Sequence, residues 1–137
     1  MLSRRGVLAL GFALGVAGCG PPGPMTLDGV TIMRHGFMNG GPAALYTGPV
    51  KFERGCVLGD MPDAAFTPII WPPTASLGHQ GNELVLLVDG LVIHDGDQAS
   101  IGGGEYTDVE FVEQLSGPIP EACRAEYYWL AGEVTTP

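Results

Sequence analysis

Two apolar runs separated by only two residues constrain the fold of this chain more than any other feature. Residues 83–88 and 91–94 are dominated by Leu, Val and Ile, and Asp89-Gly90 joins them. An Asp-Gly pair between two such runs is typical of a tight β-hairpin, because both central residues of its turn need a positive φ. The sequence therefore predicts antiparallel β structure at the centre of the chain.

Other short apolar runs also favour strands, because turn residues bound them. They lie at residues 29–34, 50–52, 55–58, 66–71, 98–101 and 126–134. Pro68 requires a sheet edge or a bulge, since proline has no N–H for the strand ladder. Repeated glycine and proline at residues 36–49 predict a long loop, which is a candidate binding loop. The three glycines at 102–104 are expected to end the strand before them.

One helix is expected late in the chain. Thr107-Asp108-Val109-Glu110 has the pattern of a capping box, and the apolar residues Val109, Val112 and Leu115 follow at helical spacing. This predicts a short helix near residues 108–115. Six or seven short strands with a single helix predict a mainly β protein, a small barrel or sandwich, and we favour an OB-like barrel.

Residues 1–18 have the pattern of an export signal. Arg4 and Arg5 precede the uncharged, apolar residues 6–16. A helix over this run, rising about 1.5 Å per residue, is much shorter than the roughly 30 Å hydrocarbon core of a bilayer, so a permanent transmembrane helix is not expected. The arginine pair also resembles part of the twin-arginine motif, although Val7 and Ala9 depart from it, so Tat and Sec export both stay open.

The end of this signal, Val16-Ala17-Gly18-Cys19, resembles the lipobox of bacterial lipoproteins. The resemblance implies that Cys19 receives a lipid such as palmitate and becomes the new N-terminus. The exported protein would then be anchored at the extracytoplasmic face of the inner or the outer membrane. The alternative is a cleaved signal that releases a soluble protein. Residues 19–28 would form a proline- and glycine-rich tether, followed by a single β domain at residues 29–137.

The charge of the mature chain excludes some partners. The whole chain has 15 acidic and 6 basic residues, and removal of residues 1–18 takes away Arg4 and Arg5, which leaves 4 basic residues and a net charge of −11. Nucleic acid and anionic bilayers need a basic footprint, so neither is expected as a direct ligand. Solubility is the simplest reason for the acidity, and a surface for cations or a basic partner is the alternative.

The two remaining cysteines, Cys56 and Cys123, form an even pair in a chain predicted to reach an oxidising compartment. We predict a disulfide between them. It would close a loop of 68 residues, which the chain-entropy model values at roughly 4 kcal/mol. The alternatives are two reduced, buried thiols or a pair of metal-bound thiolates, although the sequence has no C-x-x-C spacing that favours metal.

Catalytic patterns are sparse in this sequence. The histidines His35, His79 and His94 have no metal-ligand spacing and are expected at the surface or at strand ends, and no serine lies in a G-x-S-x-G motif. His94-Asp95-Gly96-Asp97 is the best local candidate for a cation site. The calcium-loop pattern fails there at Ala99, so we favour a solvated turn over a metal site. No catalytic residue and no cofactor is assigned.

Trp71 stands directly before Pro72 and Pro73, which would hold its backbone extended. With Cys56, Asp89-Gly90 and the three glycines, this order of features over residues 55–105 resembles small bacterial lipoproteins and secreted domains of Gram-positive and related bacteria. That resemblance implies no particular activity. We expect Trp71 to be a core residue, and we take Trp71 and Tyr46, the latter within the predicted loop, as the first candidate contacts for a ligand or partner.

The leading functional hypothesis is a non-enzymatic lipoprotein of the cell envelope that binds an unidentified partner or small ligand. One alternative is a hydrolase that uses carboxylates such as Asp95, Asp97 and Glu105. The other is a weak binder of divalent cations. Clustering of the carboxylates in a pocket would favour the enzyme, and dispersal over the surface would favour the binding module.

Overall fold

The computed structural model describes residues 22–36, 44–61 and 64–137. Their strands are β1 Met25–Leu27, β2 Val30–Arg34, β3 Ala44–Glu53, β4 Cys56–Met61, β5 Ala64–Trp71, β6 Ser76–Gln80, β7 Glu83–Val88, β8 Leu91–His94, β9 Gln98–Tyr106 and β10 Tyr128–Thr135. The helix α1, Val109–Ser116, and a short 3-10 turn, Glu121–Cys123, lie between β9 and β10. The predicted signal peptide, the lipobox and Cys19 lie outside the described residues.

Six strands form a closed barrel. Neighbours in the order β2-β4-β3-β9-β10-β5 are hydrogen-bonded, and β5 pairs back with both β2 and β4. β2 and β10 run parallel to β5, whereas β3 pairs antiparallel with β4 and β9. This confirms the predicted small, mainly β barrel with one short helix. Its six strands are one more than the five of the OB-like barrel that we favoured.

The central hairpin is confirmed and belongs to a second sheet. β6, β7 and β8 form an antiparallel, three-stranded sheet, in which β7 and β8 are joined by Asp89 and Gly90 alone. Asp89 has φ 49° and Gly90 has φ 77°, as a two-residue hairpin turn with the right-handed twist of its strands requires. Strand β6, which pairs with β7, was not predicted.

Side-chain alternation along the strands divides the core into two clusters. On β10, Trp129 and Ala131 belong to the larger cluster, which joins barrel strands to the inner face of the three-stranded sheet through residues such as Leu86. Tyr128 and Leu130 point to the other side and pack with Val112 of α1. The helix therefore covers the outside of the barrel beside its closing strand.

The predicted disulfide between Cys56 and Cys123 is present, with its Cα atoms 5.4 Å apart. Cys56 begins β4 and Cys123 ends the 3-10 turn, and both residues are fully buried. The bond therefore ties the segment between α1 and β10 to the barrel wall.

Two predictions around glycine-rich segments were wrong. Residues 44–49 are the first half of β3 rather than loop, because they pair with β9 from Ala44–Gly103 to Pro49–Gln98. Residues 37–43 of the predicted loop lie outside the described residues. Likewise, β9 does not end at Gly102 but continues through the glycines to Tyr106, since β3 and β10 both pair with it there.

Gly103 shows why this strand needs glycine. Its φ is 143°, and a Cβ atom built on it would overlap the carbonyl oxygen of Leu130 and lie 2.9 Å from the carbonyl carbon. A side chain at this position would thus collide with the backbone of β10. The glycine marks a close approach of two strands, not the end of one.

Two local predictions need smaller adjustments. The helix is capped by Asp108, whose carboxylate accepts a 3.2 Å hydrogen bond from the N–H of Phe111, so the cap lies one residue after the Thr107 that begins the predicted capping box. Pro68 pairs with Leu58 of β4 and is not at a sheet edge. The β4–β5 register shifts only beyond Pro68, between the pairs Gly59–Thr67 and Met61–Ala64, so the irregularity is near Pro68 but not at it.

Candidate functional site

The most exposed apolar feature of the three-stranded sheet is a cross-strand pair at the end of the hairpin. Leu87 of β7 and Val92 of β8 lie opposite each other and are 37% and 43% exposed. Their strand neighbours Leu86 and Ile93 point to the other face and are buried in the core. Leu87 and Val92 therefore expose apolar side-chain surface to solvent on a domain that carries an excess of acidic residues.

An open pocket of about 380 Å³ adjoins this pair, and its lining consists of Thr74 and residues 87–92. We call these lining residues the hairpin patch. Gly78 of β6 lies beneath it, and a Cβ atom built there would come 3.2 Å from Cδ1 of Leu87. The absence of a side chain at Gly78 thus gives Leu87 its space on the outer face.

A single arginine holds the first described residues next to this patch. Arg34, at the end of β2, donates from Nε to the carbonyl of Gly23 at 3.0 Å and from Nη2 to that of Pro22 at 3.4 Å. Its Nη1 donates to the carbonyl of Ala75 at 3.2 Å. Ala75 lies between Thr74, which lines the pocket, and β6. Part of the predicted tether is therefore fixed to the domain beside the hairpin patch.

The candidate cation site at His94, Asp95 and Asp97 is not assembled. The Asp97 carboxylate accepts a 2.8 Å hydrogen bond from the backbone N–H of His94 and lies 3.2 Å from Nδ1 of the same residue. The Asp95 carboxylate instead accepts a 2.9 Å hydrogen bond from the N–H of Phe52 on β3. Within residues 22–36, 44–61 and 64–137, no three His, Cys, Asp or Glu side chains are grouped to hold a metal ion.

Both carboxylates accept hydrogen bonds from backbone N–H groups around the turn after β8. The backbone hydrogen bond from His94 lowers the pKa of Asp97 below its usual value. The contact of Asp95 with Phe52 ties the turn after β8 to β3. Backbone N–H groups close to a turn commonly bind its carboxylates in this way.

Trp71 is fully buried in the larger core cluster. This agrees with the expected core position and removes Trp71 from the candidate ligand contacts, because no part of its ring reaches the surface. Its indole N–H has no hydrogen-bond partner in the structure, and the same is true of Trp129.

Tyr46 is also a core residue and not a surface contact, since it is only 6% exposed. Its hydroxyl donates to the carbonyl of Pro49 at 2.8 Å and accepts from the N–H of Asp60 at 3.1 Å. Burial raises the pKa of Tyr46 above its ordinary value of 10.0, and the N–H of Asp60 acts in the opposite direction. Tyr46 therefore joins β3 to β4 from inside the sheet.

His35 was expected at the surface or a strand end, but it is 97% buried directly after β2. Its Nε2 lies 2.6 Å from the carbonyl of Ala131 on β10, and its Nδ1 contacts the carbonyl of Gly36. Both neighbours are carbonyl oxygens, which only accept hydrogen bonds, so each contact is a hydrogen bond only where the facing ring nitrogen carries a proton. No pattern around Arg34-His35 signals this contact, because Ala131 is distant in sequence.

A second exposed apolar side chain lies on the barrel itself. Leu45 of β3 is 68% exposed and lines a pocket of about 230 Å³ with Ser100, Gly102, Glu133 and Thr135. The sequence did not signal it, since it falls in the predicted loop. Leu45 serves below as a matched control, because it is apolar, exposed and on a different sheet from the hairpin patch.

The carboxylates of the hydrolase alternative do not share a described pocket. The carboxylates of Asp95 and Asp97 accept the backbone hydrogen bonds described above, and Glu105 lies on β9. None of the three residues lines the pocket at the hairpin patch or the pocket at Leu45.

Across the described residues, no helix has both the length and the apolar character needed to cross a membrane.

Comparison with protein-family models finds no match, and neither the curated proteins nor the solved structures compared with this chain include a match.

Proposed function

We propose that this chain is an exported protein, anchored by lipid on Cys19 at the extracytoplasmic face of a membrane, and that its β domain acts as a binding module through the three-stranded sheet. The observation that carries the binding role is the hairpin patch, where Leu87 and Val92 remain exposed beside an open pocket. Contiguous exposed apolar surface and concave, mostly apolar pockets are both typical of binding sites.

One feature supports the anchor and another supports export. The lipobox-like Val16-Ala17-Gly18-Cys19 ends a short, positively charged apolar segment. The bond between Cys56 and Cys123 supports export, because disulfides persist in oxidising compartments and are rare in the cytosol.

Replacement of the lipidated residue tests the anchor. In cells fed a palmitate analogue, the wild-type chain should be labelled and sediment with membranes, whereas Cys19→Ala should be unlabelled and be found in the soluble or the unprocessed pool. Equal labelling of the two chains would refute lipidation at Cys19.

A pair of matched variants tests the binding role. The double variant Leu87→Ser, Val92→Ser removes the apolar part of the hairpin patch, and Leu45→Ser removes a single, more exposed apolar side chain elsewhere. A neutral apolar dye should lose most of its binding to the double variant and keep it with Leu45→Ser. Equal binding to all three proteins would refute the hairpin patch as a binding surface. No observation on the described residues favours the hydrolase or the cation binder.

A further inference from the structure

The position of the first described residues limits how far the domain can move from a lipid on Cys19. Cys19 and Pro22 are three residues apart, which span at most about 11 Å when fully extended. Pro22 and Gly23 are in turn held to Arg34 by the hydrogen bonds described above. The Arg34 hydrogen bonds therefore place the domain within about 11 Å of chain from Cys19, although the sequence predicted a tether of ten residues.

The hairpin patch lies next to this attachment point. Arg34 also bonds to the carbonyl of Ala75, and the next residue, Ser76, pairs with Leu87. Leu87 pairs in turn with Val92. Because adjacent strands are about 4.8 Å apart, the whole patch lies within roughly 10 Å of Ser76 across the sheet.

From this arrangement we propose that the partner of the hairpin patch is the lipid bilayer itself, with Leu87 and Val92 resting in the headgroup region. The inference rests on the proposed anchor at Cys19 and names the partner of the surface assigned above. A lipid on Cys19 keeps Pro22 at the bilayer surface, and the Arg34 contacts then keep the hairpin patch near the same surface.

The chemistry of the patch fits zwitterionic lipid. Apolar side chains gain free energy when the bilayer interface removes them from water. Asp89 lies at the tip of the hairpin and suits the ammonium groups of phosphatidylethanolamine or phosphatidylcholine. The net charge of −11 on the mature chain disfavours anionic headgroups.

A fluorescent probe at two matched positions tests this contact. The full chain is lipidated in cells, reconstituted in vesicles of phosphatidylethanolamine and phosphatidylcholine, and labelled at Val92→Cys or at Leu45→Cys. Lipids that carry a quencher at the headgroup region should cause a loss of fluorescence at position 92 and none at position 45. No quenching at position 92, or equal quenching at both positions, would overturn the inference.

A second measurement needs no substitution in the patch. Backbone amides of residues 87–92 should exchange hydrogen more slowly in the vesicle-bound wild type than in the soluble chain from Gly20 onward, made without lipid, while those of residues 44–47 exchange equally. Unchanged exchange at residues 87–92 would overturn the inference.

Mass spectrometry of Cys19 separates the two proposals. With lipid present and no protection of the hairpin patch, the contact is wrong and the anchor stands. Without lipid on Cys19, the anchor and the contact both fall.

Discussion

Replacement of Gly103 by alanine should destabilise the barrel strongly, because β9 and β10 meet there without room for a side chain. The new methyl group would overlap the carbonyl oxygen of Leu130, and the residue would have to keep a φ of 143°. Overpacking of a closed site costs about 1–3 kcal/mol. An unfavourable backbone conformation adds about 1–3 kcal/mol. Together they give an expected loss of roughly 2–6 kcal/mol, a large part of the 5–15 kcal/mol typical of a domain.

The neighbouring glycine provides the matched control. A Cβ atom built on Gly102 meets nothing closer than 3.7 Å, and Gly102 lies outside the positive-φ region. Gly102→Ala should therefore change the free energy of unfolding by no more than about 0.5 kcal/mol, as surface substitutions usually do.

Equilibrium unfolding in urea measures both variants on the chain from Gly20 onward, made without lipid. Trp71 and Trp129 are buried, so their fluorescence reports the loss of the barrel. Gly103→Ala should unfold at a much lower urea concentration than Gly102→Ala. If the two variants share one midpoint, the steric reading of β9 is incorrect.

Three further changes test other contacts of the barrel. Replacing both Cys56 and Cys123 with alanine should lower the free energy of unfolding by about 4 kcal/mol, because the bond links residues 67 apart and its loss raises the conformational entropy of the unfolded chain. A urea midpoint equal to that of the oxidised wild type would contradict this. His35→Phe removes the ring that contacts the carbonyls of Gly36 and Ala131, leaves at least one of them without a donor, and should cost about 1–3 kcal/mol in urea unfolding. His79→Ala, at an exposed site, should have little effect in the same measurement, and equal losses for the two variants would count against the buried contact. Folding raises the pKa of Tyr46, so the stability that its protonated hydroxyl contributes is complete below about pH 10 and is lost as the pH rises through the higher pKa of the folded state. The wild type should therefore lose stability more steeply than Tyr46→Phe in alkaline unfolding curves. Parallel curves for the two proteins would show that Tyr46 does not titrate differently in the folded and unfolded states.

The parts of the fold that sequence predicted well depend on local chemistry. Asp89-Gly90 defines its turn without help from distant residues, and the cysteine pair was suggested by number and compartment. The continuous apolar run of β7 also predicted a strand, but it could not show which side chains face outward. The exposure of Leu87 was visible only once its pairing with Val92 was known.

The parts that were missed depend on neighbours far away in the chain. Residues 44–49 contain glycine and proline and look like a loop, yet β9 supplies partners for all of them. Tyr46 and Trp71 looked like candidate contacts because large aromatic residues often bind ligands, but tertiary packing buries both. In the candidate cation site, backbone N–H groups of Phe52 and His94 occupy the carboxylates, and one of these donors comes from another strand.

The pairing of β10 with β5 and β9 also sets an order of events for folding. Trp129 and Leu130 lie beside Ile69 and Ile70, about sixty residues earlier in the chain, in a parallel pairing that no local turn can form. The barrel wall therefore stays open until residues 128–135 have been synthesised and have left the ribosome. Contacts of such long sequence separation slow folding, because the chain must lose the entropy of a long loop before they form. A chain truncated before β10 would expose the apolar edges of β5 and β9, which makes it a natural target for proteases and chaperones.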